Sequence, residues 1–324
     1  MYFSKIVATG ACLPEQIITN DRLAEIVDTN DEWIVSRSGI ARRRFSDGQN
    51  TSEIAAGAAK KIIERAGIQA EDVELIIVAT VSPDYCTPST ACIVQDIIGA
   101  KNAVAFDIGA ACSGFIFGMS TADKFIRSGM YKNAIVIGAE VLSKHLDFND
   151  RSTCVLFGDG AAGVYLERSD EPFILAENMG SDGSQNQALT AKYYPVVSAY
   201  CKTDTKRAEH VEMDGKSIFD FATRKVPKSV IKLLEDAGEN PDSIDWVIPH
   251  QANKRIIEIV SRKVKIPLEK FYINMADYGN TSSASIPIAL NEAVEKGLIK
   301  KGHKVVLCGF GAGLTWGSAL IHFK

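Results

Sequence analysis

The sequence predicts an α/β fold built from two similar halves, and three observations carry that prediction. First, Lys61-Ile62-Ile63-Glu64-Arg65-Ala66-Gly67 reappears as Lys232-Leu233-Leu234-Glu235-Asp236-Ala237-Gly238, at an offset of 171 residues; a match at fixed period marks an internal repeat. Second, Asp72 leads into Leu75-Ile76-Ile77-Val78, and Asp242 leads into Trp246-Val247-Ile248, at an offset of 170. Third, Cys112-Ser113-Gly114 opens a helix ending near Gly129, while Asn280-Thr281-Ser282 opens one ending near Gly297, both at an offset of 168. Each of these helices feeds another apolar strand, at residues 134–138 and 305–309. Four elements in one order at nearly constant separation point to a duplicated α/β unit, divided as residues 1–170 and 171–324.

The local chemistry supports each element in turn. The segments ending at Gly67 and Gly238 read as amphipathic helices closed by a C-cap glycine. The apolar runs that follow are short and continuous, the pattern of strands buried on both faces. In the helix opened by Cys112, Phe115, Met119, Ala122 and Ile126 recur at steps of four, three and four, which makes one stripe buried between sheets. Residues 181–215 break the pattern: they are polar, poorly periodic and carry Lys202, Lys206 and Arg207. That length exceeds an ordinary connection, so a lid or cap is expected.

Composition removes several classes of function. With 324 residues and 46% hydrophobic content the chain fills a full core, which excludes disorder and a small disulfide scaffold. Lys and Arg total 36 against 40 Asp and Glu, a net charge of −4 with no basic block, so no nucleic-acid partner is expected. Apolar runs such as residues 75–79 and 305–307 fall far short of the roughly 18 residues that span a bilayer. The amino-terminal stretch reads as a strand rather than a secretion signal, and a cytoplasmic location is the default. Seven cysteines, at 12, 86, 92, 112, 154, 201 and 308, form an odd set without a CxxC pair, arguing against disulfides and a zinc ribbon. Most of them sit in apolar surroundings, as Cys154 and Cys308 do, which suits buried, inert thiols, and all but Cys112 are left to packing. The five histidines, at 145, 210, 250, 303 and 322, lack metal-ligand spacing, and neither GxGxxG nor GxxxxGK[ST] occurs, so no metal or nucleotide cofactor is expected.

Cys112 stands just after a strand, at the first turn of a helix, among the small residues Gly109, Ala110, Ala111 and Gly114. Unpaired N–H groups and the positive dipole end at such a turn favour thiolate, the setting of a nucleophile; a buried structural cysteine fits the same turn. His250 leaves the end of an apolar strand, where α/β proteins bind ligands, and serves either as base or hydrogen-bond donor, or as a capping or surface histidine. Asn280 takes in the second half the place that Cys112 takes in the first. Across a pseudo-twofold axis its amide then faces the thiol; an ordinary N-cap is the alternative. The run Gly309-Phe310-Gly311-Ala312-Gly313-Leu314-Thr315-Trp316-Gly317 lets backbone approach a ligand and supply an oxyanion-hole N–H, or simply turns a hairpin.

These stretches, with Asn30-Asp31-Glu32-Trp33-Ile34, Arg37-Ser38-Gly39-Ile40, Phe157-Gly158-Asp159-Gly160-Ala161 and Pro249-His250-Gln251-Ala252-Asn253, resemble the thiolase-like condensing enzymes, and most closely the β-ketoacyl-[acyl-carrier-protein] synthase III family, over essentially the whole chain. The resemblance implies a five-layered αβαβα fold of two duplicated halves, active as a homodimer. It implies Cys112 as the acyl-accepting nucleophile with His250 and Asn280 as partners, and backbone N–H groups of Cys112 and Ala312 as the oxyanion hole. Many relatives carry glycine where Ala312 stands, a change that keeps the backbone donor.

By the same resemblance, coenzyme A thioester is a substrate rather than a cofactor. Trp33 and Arg151 match the pair that holds its adenine, Arg37 a position near its phosphates, and Phe157, Gly215, Phe219, Ala252 and Asn253 the pantetheine tunnel. Gln251, Ala252, Asn253, Lys254 and Arg255, with Arg262 and Lys263 beyond, resemble the docking surface for acyl carrier protein. Thr87, before Pro88, departs from the phenylalanine of several acetyl-preferring relatives, at a position that closes the partner subunit's acyl pocket. The expectation is a primer longer or bulkier than acetyl. The implied reaction is decarboxylative Claisen condensation of an acyl-CoA primer with malonyl carrier protein, initiating type II fatty-acid synthesis. Alternatives are acyl transfer to another acceptor in secondary metabolism and a non-catalytic partner subunit, whose signature, loss of Cys112, is lacking.

Overall fold

In the computed structural model, which describes residues 2–201 and 207–323, the repeat in the sequence becomes a repeat in topology. Up to Ser169 the chain forms β1 (Phe3–Cys12), β2 (Ile17–Thr19), α1 (Asn20–Ala24), α2 (Asp31–Ser38), β3 (Arg42–Arg44), α3 (Thr51–Ala66), β4 (Leu75–Ala79), α4 (Thr90–Ile98), β5 (Val104–Ile108), α5 (Gly114–Ser128), β6 (Asn133–Glu140) and β7 (Gly160–Ser169). From Ile174 it forms β8 (Ile174–Ser181), β9 (Leu189–Tyr193), β10 (Ala208–Met213), α6 (Gly215–Ala237), β11 (Trp246–Pro249), α7 (Lys254–Val264), α8 (Met275–Tyr278), α9 (Ser285–Glu295), β12 (Lys304–Gly311) and β13 (Thr315–His322).

One sheet runs β1-β7-β6-β4-β5 and the other β8-β13-β12-β11. The pairings correspond strand for strand: β4 to β6 and β11 to β12 are parallel, while β6 to β7, β7 to β1, β12 to β13 and β13 to β8 are antiparallel. Only β5 lacks a full counterpart; a single parallel bridge between Val247 and Phe271 stands in its place.

The helices fall into three layers. α3 and α4 cover the outer face of the first sheet, and α6, with α7 packed on it, covers the second. α5 and α9 touch strands of both sheets, so the order is αβαβα. The stripe expected on α5 is fully buried, and Phe115, Met119, Ala122 and Ile126 belong to one apolar cluster with Ile286, Ala289 and Leu290 of α9. Each such large side chain contributes roughly 1.5–3 kcal/mol by leaving water. Gly67 and Gly238 close α3 and α6 in the left-handed conformation, with φ of 66° and 65°.

In the segment of residues 181–215, expected as a lid or cap, β9 and β10 pair as an antiparallel ribbon, Leu189 opposite Met213, and carry the chain along one wall of the molecule's central cavities. Lys202 and Lys206 lie outside the described residues. The expectation of buried cysteines needs correction, since they divide unevenly. Cys112, Cys154 and Cys308 are buried, but Cys12 and Cys201 are half-buried and Cys86 and Cys92 exposed, because the last two sit on the loop before α4 and on its outward face.

Candidate active site

The first half ends β5 at Ile108 and turns through a 3-10 segment, Ala111–Ser113, into α5. Ala111 has φ of 46°, a left-handed backbone unusual for a residue with a Cβ. In the second half the 3-10 turn Ser282–Ala284 leads into α9, and Ser282 repeats that backbone with φ of 48°. The two turns pack against each other. The structural counterpart of Cys112 is therefore Ser283, at the 171-residue offset of the other elements, and not Asn280. Alignment of the helix ends misled the sequence comparison, since α9 has 11 residues and α5 has 15.

Asn280 still reaches the same cavity by another route. Its backbone N–H donates to Leu156 O at 2.8 Å, and Gly158 N–H donates to Asn280 O at 3.0 Å. The N–H of Ser282 donates to Asn280 Oδ1 at 2.9 Å, so the acceptor end of the amide is held and Nδ2 remains to donate.

His250 extends the pairing of β11 with β12, its N–H donating to Cys308 O at 2.7 Å. Its ring meets Phe310 edge-on at 5.3 Å, and Nδ1 lies 2.6 Å from Ser285 Oγ. Burial pushes the imidazole down to about 3, so it is neutral at physiological pH. Burial likewise pushes the Cys112 thiol up to about 12; the nearby Glu140 raises it further, while a hydrogen bond with Ser282 opposes the rise. The expectation of a thiolate-favouring turn is thus corrected: burial dominates, and Cys112 rests as a neutral thiol.

Cys112 stands between two cavities. One, of about 140 Å³, is lined by Cys112, His250 and Asn280 together with Phe157, Gly215, Phe219, Ala252 and Asn253, which brings the expected catalytic and tunnel residues into one space. The other, of about 220 Å³, is lined by Cys112, Ala312 and Ser282 together with the apolar Val81, Leu142, Phe157, Leu189 and Val211. Gly311 comes so near that a Cβ there would fall 2.5 Å from Cys112 N. The same run forms the hairpin between β12 and β13.

At the surface, the guanidinium groups of Arg37 and Arg151 lie 4.9 and 5.3 Å from the centre of the Trp33 ring. Asn253 Nδ2 donates to Arg37 O at 2.9 Å and ties this cluster to the cavity rim. Thr87 is exposed and lines neither cavity of its own chain. Lys254, Arg255, Arg262 and Lys263 are exposed along α7. Gln251 is not: it is buried, its Nε2 donates to Pro249 O at 2.8 Å and Tyr272 O at 3.1 Å, and its Oε1 accepts from Asn274 N–H at 3.0 Å. Three backbone partners consume the amide, so Gln251 fixes the loop after β11 rather than facing a docking partner.

Sequence reasoning missed two supports. Glu140, at the end of β6, is buried and accepts from Ser82 Oγ at 2.6 Å and Ser283 Oγ at 2.8 Å, holding the second turn against the first sheet. A carboxylate closing an otherwise apolar strand was the available signal. Ser285, behind His250, gave none beyond its place in a serine-rich helix start.

A repeat whose two strand-to-helix turns face each other, one of them carrying a cysteine, places the protein among the thiolase-like condensing enzymes, a class of acyltransferases. The comparisons narrow the class. Residues 106–183 match the family model for 3-oxoacyl-[acyl-carrier-protein (ACP)] synthase III, and residues 234–323 match the model for its C terminal part. The chain is 50% identical over 317 residues to the beta-ketoacyl-[acyl-carrier-protein] synthase III of Clostridium acetobutylicum, covering 98% of each chain. It is 51% identical over 323 residues to that of Streptococcus uberis, covering 99% of each. The crystal structure of 3-oxoacyl-[acyl-carrier-protein] synthase III from Aquifex aeolicus superposes with a TM-score of 0.92 at 44% identity, covering 99% of this chain and 100% of that one. The chain belongs to the 3-oxoacyl-[acyl-carrier-protein] synthase III family.

Proposed function

We propose that the protein condenses an acyl-CoA primer with malonyl carrier protein, the initiating step of type II fatty-acid synthesis, with Cys112 as nucleophile. The observation that carries this reading is the position of Cys112 between a cavity holding two neutral donors and a second, apolar cavity. Acyl-CoA enters past Trp33, Arg37 and Arg151, and its pantetheine arm lies along Phe157, Gly215, Phe219, Ala252 and Asn253. The sulfur of Cys112 bonds to the acyl carbon, the carbon–sulfur bond to coenzyme A breaks, and the thiol proton leaves with the coenzyme A sulfur. Backbone N–H groups of Cys112 and Ala312 receive the negative charge on the tetrahedral oxygen.

Malonyl carrier protein then docks on the basic face of α7, where Lys254 and Arg255 complement an acidic partner. The carbon–carbon bond to the carboxylate breaks, CO2 leaves, and the electron pair moves to the thioester oxygen. His250 and Asn280 stabilise that enolate by hydrogen bonding, with no proton transferred. The enolate carbon attacks the acyl group, the carbon–sulfur bond to Cys112 breaks as product β-ketoacyl carrier protein forms, and the departing thiolate takes a proton from water.

The apolar cavity supports a primer longer or bulkier than acetyl, and Thr87 leaves room at the corresponding pocket of a partner subunit in a homodimer. In this reading residues 1–170 supply the nucleophile and residues 171–324 the donors, in a cytoplasmic enzyme; no helix among the described residues is long and apolar enough to cross a membrane. Intact mass after mixing with equal amounts of acetyl-, butyryl-, isobutyryl- and octanoyl-CoA tests the reading. A single acyl adduct, heavier than acetyl and missing from Cys112→Ala, is expected; no adduct on a folded wild type would overturn acyl-CoA as primer.

A further inference from the structure

We propose that Ser285 fixes the tautomer of His250 and so makes it an obligatory donor; the inference rests on the reading of His250 as an enolate stabiliser. Ser285 is the first residue of α9, buried, with Oγ 2.6 Å from His250 Nδ1. The backbone N–H of Gln251 points at the same oxygen from 3.4 Å. An amide N–H only donates, so Ser285 Oγ is its acceptor. The hydroxyl owns one proton, and among the described residues no other acceptor is hydrogen-bonded to it.

Hydrogen-bond satisfaction then decides the tautomer. If Nδ1 carried the ring proton, Ser285 Oγ would accept from both neighbours and bury its own proton without a partner, which is unfavourable. If Nδ1 is bare, the hydroxyl donates to it and every group is paired. The ring proton therefore sits on Nε2, which bonds to no described residue on a ring that lines the cavity with Cys112 and Asn280. Gln251 completes the device: its side chain, tied to Pro249, Tyr272 and Asn274, holds the backbone that aims the N–H.

Ser285 is thus a positioning residue, and it disqualifies His250 as the base that deprotonates Cys112. In wild-type enzyme labelled with 15N-histidine, the signals lost in His250→Asn should report a protonated Nε2 and a bare Nδ1; a protonated Nδ1 overturns the proposal whatever the variants do. With malonyl carrier protein and no primer, Ser285→Ala should lower the ratio of decarboxylation to Cys112 acylation about tenfold, the value of one ordinary hydrogen bond. Its acid limb should move upward, because a bare Nδ1 without a donor is more basic, and Ser285→Thr should restore both. An unchanged ratio and acid limb in folded Ser285→Ala overturn the proposal. Undiminished decarboxylation in His250→Ala would instead overturn the underlying reading, leaving the tautomer to be judged by its nitrogen signals.

Discussion

Gly311 and Cys112 meet backbone to backbone: a Cβ added to Gly311 would stand 2.5 Å from Cys112 N and 3.0 Å from the Cβ of Ala111. Neither neighbour is the far end of a flexible side chain, so either the end of β12 or the turn before α5 must shift. Gly311→Ala should therefore displace the nucleophile turn and reduce acylation at least a hundredfold, since small misplacements of reacting groups cost that much. Rates of acyl adduct formation by mass spectrometry, beside a far-ultraviolet circular dichroism check of folding, test this; a folded variant acylating at the wild-type rate would refute it.

The buried thiol predicts an unusual pH profile. With its ordinary ionisation pushed up to about 12 by desolvation, Cys112 is almost wholly protonated at pH 7. Its alkylation by iodoacetamide should rise about tenfold per pH unit through the stable range, without a plateau. A plateau between pH 6 and 8 would show that the site acidifies the thiol.

Acid should destabilise the fold through its histidines. In the folded protein His250 is held down to about 3, whereas an unfolded histidine titrates near 6.5. The unfolded chain binds the extra proton first, so this stability is intact above about pH 6.5 and is lost as pH falls towards 3, by at most about 1.4 kcal/mol per unit. His145, buried with Nδ1 unpaired and held down to about 4, acts in the same direction. Thermal melts from pH 7.5 to 4.5 should show Tm falling, with a shallower slope in His250→Asn; equal slopes would remove His250 as a cause.

Much of this was legible in the sequence, and the remainder fails for definable reasons. The repeat showed because Gly67 and Gly238 must be left-handed caps and because β4 and β11 are continuously apolar; both are local requirements. Cys112 and His250 showed through their places at strand ends. The apolar cavity did not, since Leu142, Leu189 and Val211 come from three separate segments and only tertiary packing joins them. Gln251 was misread because Lys254 and Arg255, further along the same stretch, face outward, while the groups that use its amide lie on Pro249, Tyr272 and Asn274.

The apolar cavity predicts a change of specificity. Val211 is buried on its wall, and Val211→Phe should fill much of the 220 Å³. The ratio of kcat/KM for butyryl-CoA to that for acetyl-CoA should fall at least tenfold, about the value of a single methylene excluded from an apolar pocket. An unchanged ratio would place the acyl chain elsewhere.

The Trp33 cluster predicts an effect on binding alone. Arg151 stands over the indole and is anchored by Asp28, its Nη1 donating to Asp28 O at 2.9 Å. Arg151→Ala should raise KM for acyl-CoA roughly tenfold and leave kcat near wild type, because the contact is made equally in ground and transition states. A matched loss of kcat would contradict that assignment.

Ser283 occupies the place in the second turn that Cys112 occupies in the first, yet its hydroxyl is shared between Ala79 O at 2.7 Å and the Glu140 carboxylate at 2.8 Å. A duplicated chain inherits two copies of its reactive corner. Here one copy has become mortar: its oxygen is walled in by the opposite sheet and cannot reach an incoming thioester. The molecule is therefore asymmetric in chemistry while symmetric in architecture, and it can carry only one covalent passenger at this crossing.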